Sequence, residues 1–255
     1  MLLNYLRRLS GHRRTRSANR QLGALLALIA GAVNAGGFLA VHQYTSHMTG
    51  FVSAIADNLV LGNLLLVLGG VGSLIAFLCG ASAASVMISW SRHRGLHSEY
   101  ALPLVVEAFL LLQFGLLGAN LHAFVAITLP ATVLLLCFIM GLQNALATQL
   151  SNAEIRTTHV TGVITDLGIE FGKMLYWNRS NQPHAEGHIH ADRDKLLTLI
   201  AILLMFFIGC LIGAIGFKIF GFSAVLPFAA LLILAALVPV LDDVIALSRQ
   251  KLRNR

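Results

Sequence analysis

Long apolar runs, separated by short polar stretches, set the organisation of the chain. Residues 21–41 form the first run, which meets the roughly 20 residues a helix needs to cross a bilayer. The next segment, His42 to Asn63, is too short and polar to span and too apolar for an ordinary loop, so it is expected to be a short re-entrant or interfacial helix. Leu64 to Trp90 give a second span that ends at the basic Arg92-His93-Arg94. Residues 101–150 are almost uninterruptedly apolar and too long for one crossing. They divide at Gly118-Ala119-Asn120-Leu121-His122, where the composition has turn character. The third span then carries Glu107, and the fourth carries Pro130. Residues 151–195 are polar, with Val163 to Trp177 expected as a second short amphipathic helix, and Leu196–Phe217 and Phe222–Leu247 complete the spans.

Charge gives this pattern a direction. Only 11% of the 255 residues are charged and 57% are hydrophobic, against about a quarter charged in a soluble domain, so an integral membrane protein is expected. The net charge of +7 could suggest nucleic acid, but the cations sit at the chain ends and between apolar runs, as membrane topology requires. Residues 1–20 hold Arg7, Arg8, Arg13, Arg14, Arg16 and Arg20 without an acidic partner, and residues 248–255 form a second basic segment. With both termini in the cytoplasm, 17 of the 18 Lys and Arg residues lie inside and only Lys218 lies outside. Ala30-Gly31-Ala32 has the look of a signal-peptide cleavage site, but cleavage there would discard half of a motif that recurs later. Cys79, Cys137 and Cys210 all lie in apolar spans and read as small packing residues.

The recurrence concerns two motifs. Gly31-Ala32-Val33-Asn34-Ala35 is answered by Gly141-Leu142-Gln143-Asn144-Ala145, and Ser46-His47-Met48-Thr49-Gly50 by Thr158-His159-Val160-Thr161-Gly162. Further on, Phe77-Leu78-Cys79-Gly80 answers Phe206-Phe207-Ile208-Gly209, and Leu102-Pro103-Leu104 answers Leu226-Pro227-Phe228. The chain therefore reads as a first membrane repeat over residues 21–122 and a second over 123–247. Each contributes three crossings, and because three is odd the second copy enters the membrane inverted. The expected fold is an all-α integral membrane protein, six transmembrane helices in two inverted three-helix repeats, each with a short re-entrant or interfacial helix.

Inverted repeats place sites near the midplane, where the copies meet. Threonine caps helix N-termini and glycine permits the turn that opens them, so Thr49-Gly50 and Thr161-Gly162 are each expected to start a short helix. Two such ends would offer free N–H groups to an anionic or carbonyl-bearing solute. The expected solute site comprises Asn34, His47, Thr49, Gly50, Ser53, Asn144, His159, Thr161, Gly162 and Thr165. His47, His159 and Glu107 are candidates for proton coupling, histidine because it titrates near neutrality and Glu107 because a carboxylate is expensive in lipid. Against this, Thr and Asn also glue helices together without binding anything. His184, His188 and His190, with Glu186 and Asp192, look like metal ligands but match no strong zinc spacing and read better as a flexible polar linker, so no metal is assigned. No nucleophile elbow, P-loop, dinucleotide fingerprint or H-E-x-x-H occurs, so neither an enzyme nor a cofactor is indicated.

Asn34-Ala35-Gly36-Gly37-Phe38, Tyr44-Thr45-Ser46-His47-Met48-Thr49-Gly50, Gly141-Leu142-Gln143-Asn144-Ala145 and Thr157-Thr158-His159-Val160-Thr161-Gly162 together resemble the YoaK-like family of bacterial inner-membrane proteins, whose domain has no known function. The resemblance covers roughly residues 20 to 247. It implies about six spans and a bacterial plasma membrane, and it brings no substrate. In that family an aspartate is common where Asn34 stands, and asparagine often follows the glycine where Phe51 stands. These departures weigh against a charge-coupled role for the first motif. Two function classes follow: a small-solute transporter or channel with a central site, and a non-transporting sensor or assembly scaffold in which the motifs only pack helices. The expected partners are the lipid bilayer and a small solute of unknown identity, with anionic character favoured by the helix ends. No nucleic acid is expected.

Overall fold

A computed structural model describes residues 16–96, 98–119, 125–151, 157–176 and 190–253. Among them the chain forms eight α-helices and no strand. They are α1 (Arg16–Val41), α2 (Met48–Val60), α3 (Leu64–His93), α4 (Ala101–Ala119), α5 (Val125–Leu150), α6 (Val160–Leu175), α7 (Arg193–Phe220) and α8 (Val225–Arg253), with a 3-10 turn at Gly221–Ala224 between the last two. Five stretches are long and apolar enough to cross a membrane: 18–41, 64–93, 101–119, 125–150 and 193–237. The last is 45 residues, about twice a bilayer's thickness as a helix, and it breaks at Gly221, whose φ of 58° interrupts the helix. Asn120 to His122, the expected turn, lie outside the described residues; α4 ends at Ala119, just before them. Pro103 and Pro227 each occupy the third position of a helix, in the first turn where the missing N–H costs nothing.

The helices pair in a pattern set by glycine. α1 packs along α7, α3 along α5, and α4 along α8. In the α1–α7 crossing, a Cβ on Gly31 would overlap the Phe206 carbonyl and one on Gly209 would overlap the Leu28 carbonyl. In the α3–α5 crossing, a Cβ on Gly141 would overlap the Phe77 carbonyl and one on Gly80 the Phe138 carbonyl. Each crossing is thus a reciprocal pair, in which each helix presses a glycine onto the carbonyl three residues before the other's glycine. Only the absence of side chains allows backbones so close, which is how helices associate where lipid removes the hydrophobic drive. The Gly31 and Gly141 motifs, and the Phe77 and Phe206 motifs, are therefore the contact points of two matched crossings.

Directions follow from paired contacts. Arg20 Nη2 donates to the Asp194 carbonyl at 3.1 Å and Gly36 abuts Phe217, so α1 and α7 run parallel. Gln143 reaches the Leu26 carbonyl while Gly37 meets Leu136, so α1 and α5 run antiparallel. Ser98 meets Asp243 and Gly118 meets Phe222, which makes α4 and α8 antiparallel. The main core lies between α1, α4, α5 and α8, around Leu26, Ile29, Leu104, Phe114, Leu136 and Met140.

Candidate functional site

The first Thr-Gly motif lies in a reversal after α1. His42 takes a left-handed backbone (φ 54°), a conformation that histidine tolerates better than most residues, and Phe38 stacks on Tyr44 with ring centroids 4.5 Å apart. Ser46 Oγ donates to Asn34 Oδ1 at 2.9 Å and ties the reversal to α1. Then α2 begins, but its N-cap is His47; Thr49 is the second helical residue and Gly50 the third. The second motif repeats this, with His159 as the N-cap of α6. Threonine capping is therefore corrected. The glycines have a different role as well, since neither has a positive φ. A Cβ on Gly50 would lie 3.1 Å from His47 Nδ1, and a Cβ on Gly162 would overlap His159 Nδ1. In both motifs the cap histidine folds its imidazole over the first helical turn, and glycine three residues later leaves room for it.

The two motifs are not brought together. Each follows the C-terminal end of its preceding helix, α1 or α5, and those helices are antiparallel. Their ends, and so the motifs, lie at opposite ends of the bundle. α2 packs on α3, with a Cβ on Gly70 2.7 Å from Ile55, while α6 packs on α7 through Val163, Leu167 and Leu199. Ser53 and Thr165 are exposed, and the Thr165 hydroxyl is bonded to its own helix, at 2.9 Å from the Thr161 carbonyl. Thr49 and Thr161 are exposed too. Asn144 keeps its side-chain oxygen buried without a partner, unlike Asn34, which accepts from Ser46. His184, Glu186 and His188 lie outside the described residues; Asp192 caps α7, accepting from the Lys195 N–H at 3.0 Å.

A cavity of about 850 Å³ opens between α2, α3 and the start of α5, within the size range of small-molecule sites. His42, Gln43, Tyr44 and His47 line its end at the first motif. Asn58 lies near the other end of α2, about 16 Å along the helix, and accepts from Asn63 Nδ2 at 3.1 Å. The walls between are apolar, from Phe51, Ile55, Leu66, Leu129, Val133 and Leu134. Gly50 borders this cavity, whereas His159, Thr161 and Gly162 do not. Gly69 also lines it, with nothing within 4 Å of a Cβ placed there.

Three polar clusters were invisible or only half visible in the sequence. Glu107 is fully buried, and Gln143 Nε2 donates to its Oε1 at 2.7 Å and to the Leu26 carbonyl at 3.3 Å. Asp243 Oδ2 accepts from the backbone N–H of Ser98 at 2.9 Å and from its hydroxyl, which ties α8 to the turn before α4. Glu170, 1% exposed, accepts from Lys173 Nζ at 2.9 Å and from the Asp192 N–H at 2.9 Å. Those donors, the Lys173 ammonium first and the Asp192 amide next, hold its carboxyl below the ordinary carboxylate value. Of the three, only Glu107 announces itself in the sequence, as a carboxyl within an apolar span; its partner could be sought among the polar residues of the repeated motifs.

The family model for a protein of unknown function, DUF1275, matches residues 22–238. The chain belongs to the DUF1275 family. The chain is also 28% identical, over 194 residues covering 76% of it and 81% of the relative, to the UPF0700 transmembrane protein YoaK of Bacillus subtilis (strain 168). No solved structure matches. With the apolar helices, these comparisons make this DUF1275 member a multi-pass membrane protein whose long helices contact lipid. In α2, where no residue is buried, Val52, Leu59 and Val60 present apolar surface outward.

Proposed function

We propose that the chain is a bacterial inner-membrane transporter, with six crossings in two inverted halves, that takes its solute in the cavity between α2, α3 and α5. The observation that carries this reading is the cavity itself, whose apolar walls end at a cluster of hydrogen-bonding groups beside the first turn of α2. That end offers His42, Gln43, Tyr44 and His47, and α2 adds the partial positive charge of its N-terminus. Among the described residues, no Lys or Arg lines the cavity. The matching solute is a small amphipathic molecule with an uncharged or weakly anionic head. The break at Gly221 supports division of the 193–237 stretch into two crossings. The matched glycine crossings support the pairing of halves, and the basic residues at both chain ends support cytoplasmic termini.

One observation favours the scaffold reading: the two motifs lie at opposite ends of the bundle, and the glycine crossings pack the halves solidly between them. A thermal-stability screen of the purified protein against small carboxylate-bearing and neutral amphiphiles separates the readings. Under the transport reading, a class of compounds stabilises the wild type, and the effect is lost in Gly69→Leu, which fills the cavity, and in His47→Gln. Stabilisation that survives both substitutions removes the cavity from the argument. No stabilisation by any compound favours the scaffold.

A further inference from the structure

Between α1, α4 and α5, in a seam otherwise packed with Leu, Ala and Ile, lie two enclosed polar side chains, Glu107 and Gln143, both 0% exposed. The Leu26 carbonyl can only accept, so the Gln143 atom facing it is the amide nitrogen, and the orientation of that amide is settled. Both amide hydrogens are then used, one on Leu26 and one on Glu107 Oε1. What remain are two acceptors, Glu107 Oε2 and Gln143 Oε1, both buried and without a partner.

An ionised Glu107 would leave a charge in this seam with no counter-ion. Other titratable groups on the described parts of the surrounding helices are committed elsewhere, lie at an exposed helix end, or are free thiols. Arg20 at the start of α1 binds the Asp194 carbonyl, and Arg92 at the end of α3 binds Glu99 and Tyr100. Asp243 on α8 binds Ser98, and His93 lies at the exposed end of α3. Cys79 on α3 is exposed and Cys137 on α5 is buried, both as free thiols. None of these groups bonds to Glu107. An uncompensated buried charge is costly, and two orphaned acceptors on one bonded pair add to the cost.

A single hydrogen removes all three penalties. A carboxylic acid and a primary amide are complementary: the amide N–H donates to one acid oxygen, and the acid O–H donates to the amide oxygen. Half of that ring is already formed at 2.7 Å, and the unpartnered atoms are the other half. We propose that Glu107 and Gln143 form a proton-binding site, occupied as an acid–amide ring in which Glu107 Oε2–H donates to Gln143 Oε1. Uptake forms one O–H bond with a proton from water and cancels one negative charge; release returns that proton and leaves a carboxylate facing the amide oxygen. A metal cation is the poorer occupant, because a hard cation wants about six oxygens and this seam offers two free ones. Glu107 and Gln143 lie about 9–11 Å from the ends of α4 and α5 that face the turn at Ser98, nearer to those ends than to the opposite ones. The site shares no residue with the α2–α3–α5 cavity, so it stands or falls separately from the solute reading.

The test is infrared spectroscopy of the purified protein in lipid, where a protonated carboxylic acid has a carbonyl stretch well separated from carboxylate bands. At neutral pH the wild type shows such a band, shifted by deuterium exchange and unchanged by swapping sodium for a large organic cation. Glu107→Gln abolishes it and keeps the fold, since an amide–amide ring has the same shape. Gln143→Leu leaves Glu107 in place but removes its partner, so the band moves to higher frequency. This second variant reads the ring even if Glu107→Gln fails to fold. A neutral-pH spectrum without an acid band overturns the proposal, as does a band that Gln143→Leu does not move. A band that appears only when sodium is withdrawn makes the site a cation site instead.

Discussion

His159 folds its imidazole over Gly162 so closely that a Cβ on the glycine would overlap Nδ1, and His47 stands over Gly50 in the same way, its Nδ1 3.1 Å from where a Cβ would lie. The repeated histidine and glycine are therefore one local device, a ring laid on the first turn of a short helix. A ring can rotate away, and alanine favours a helix over glycine by about 1 kcal/mol. Gly50→Ala and Gly162→Ala should leave thermal stability nearly unchanged or slightly raised. The imidazole signal in an NMR spectrum should shift for both, and more for His159. A large loss of stability in either would show that the ring cannot move.

The glycines of the helix crossings should behave differently, because a Cβ there meets backbone. Alanine at Gly31, Gly80, Gly141 or Gly209 forces the paired helices apart, and a cost of about 1–3 kcal/mol or more is expected for each. Matched positions, Gly31 with Gly141 and Gly80 with Gly209, should cost similar amounts in unfolding assays. A neutral substitution at any of the four would mean that the crossing is looser than its geometry indicates.

Glu170 gives the docking of α6 on α7 a pH dependence. Its carboxyl is held below its ordinary value by Lys173 and by the Asp192 amide. A depressed carboxyl contributes stability that is fully present above its unfolded-state pKa and is lost as pH falls through the lower folded value. Protection of residues 160–175 against hydrogen exchange, taken relative to the intrinsic rate at each pH, should thus be high at neutral pH and fall in acid, below the ordinary carboxylate range. In Glu170→Gln that protection should already be low at neutral pH and should change little on acidification.

Asp243 holds the turn before α4 from a helix more than a hundred residues away in sequence. Asp243→Ala leaves the Ser98 N–H and hydroxyl buried without their acceptor, at a cost of about 1–3 kcal/mol. Asp243→Asn, which keeps an acceptor oxygen, should recover part of the loss in a thermal melt.

Reporter fusions test the topology directly. Fusions after Arg94 and after Arg253 should report cytoplasm, and fusions at Gly62 and Gly221 should report periplasm. A periplasmic signal at either of the first two would reverse or break the arrangement of crossings.

The sequence by itself determined where the helices are. Apolar length delimits a span because lipid forces the backbone to bond within the segment, and the helices 64–93, 125–150 and 193–220 fall within a few residues of the runs that announced them. The repeated glycines were legible as a repeat, but that they are the points where backbones touch came from the crossings themselves. Tertiary structure alone decided what those elements bring together. The shared motif site was not formed because α1 and α5, whose ends carry the motifs, run in opposite directions, and a linear repeat does not say whether its copies meet or part. That histidine and not threonine caps the short helices is also a matter of backbone geometry at one residue, beyond the reach of composition. The pairing of Glu107 with Gln143 joins positions 36 residues apart on two helices; their polarity was legible, but the rotation of each helix about its axis, which aims one at the other, is set by how the whole bundle packs.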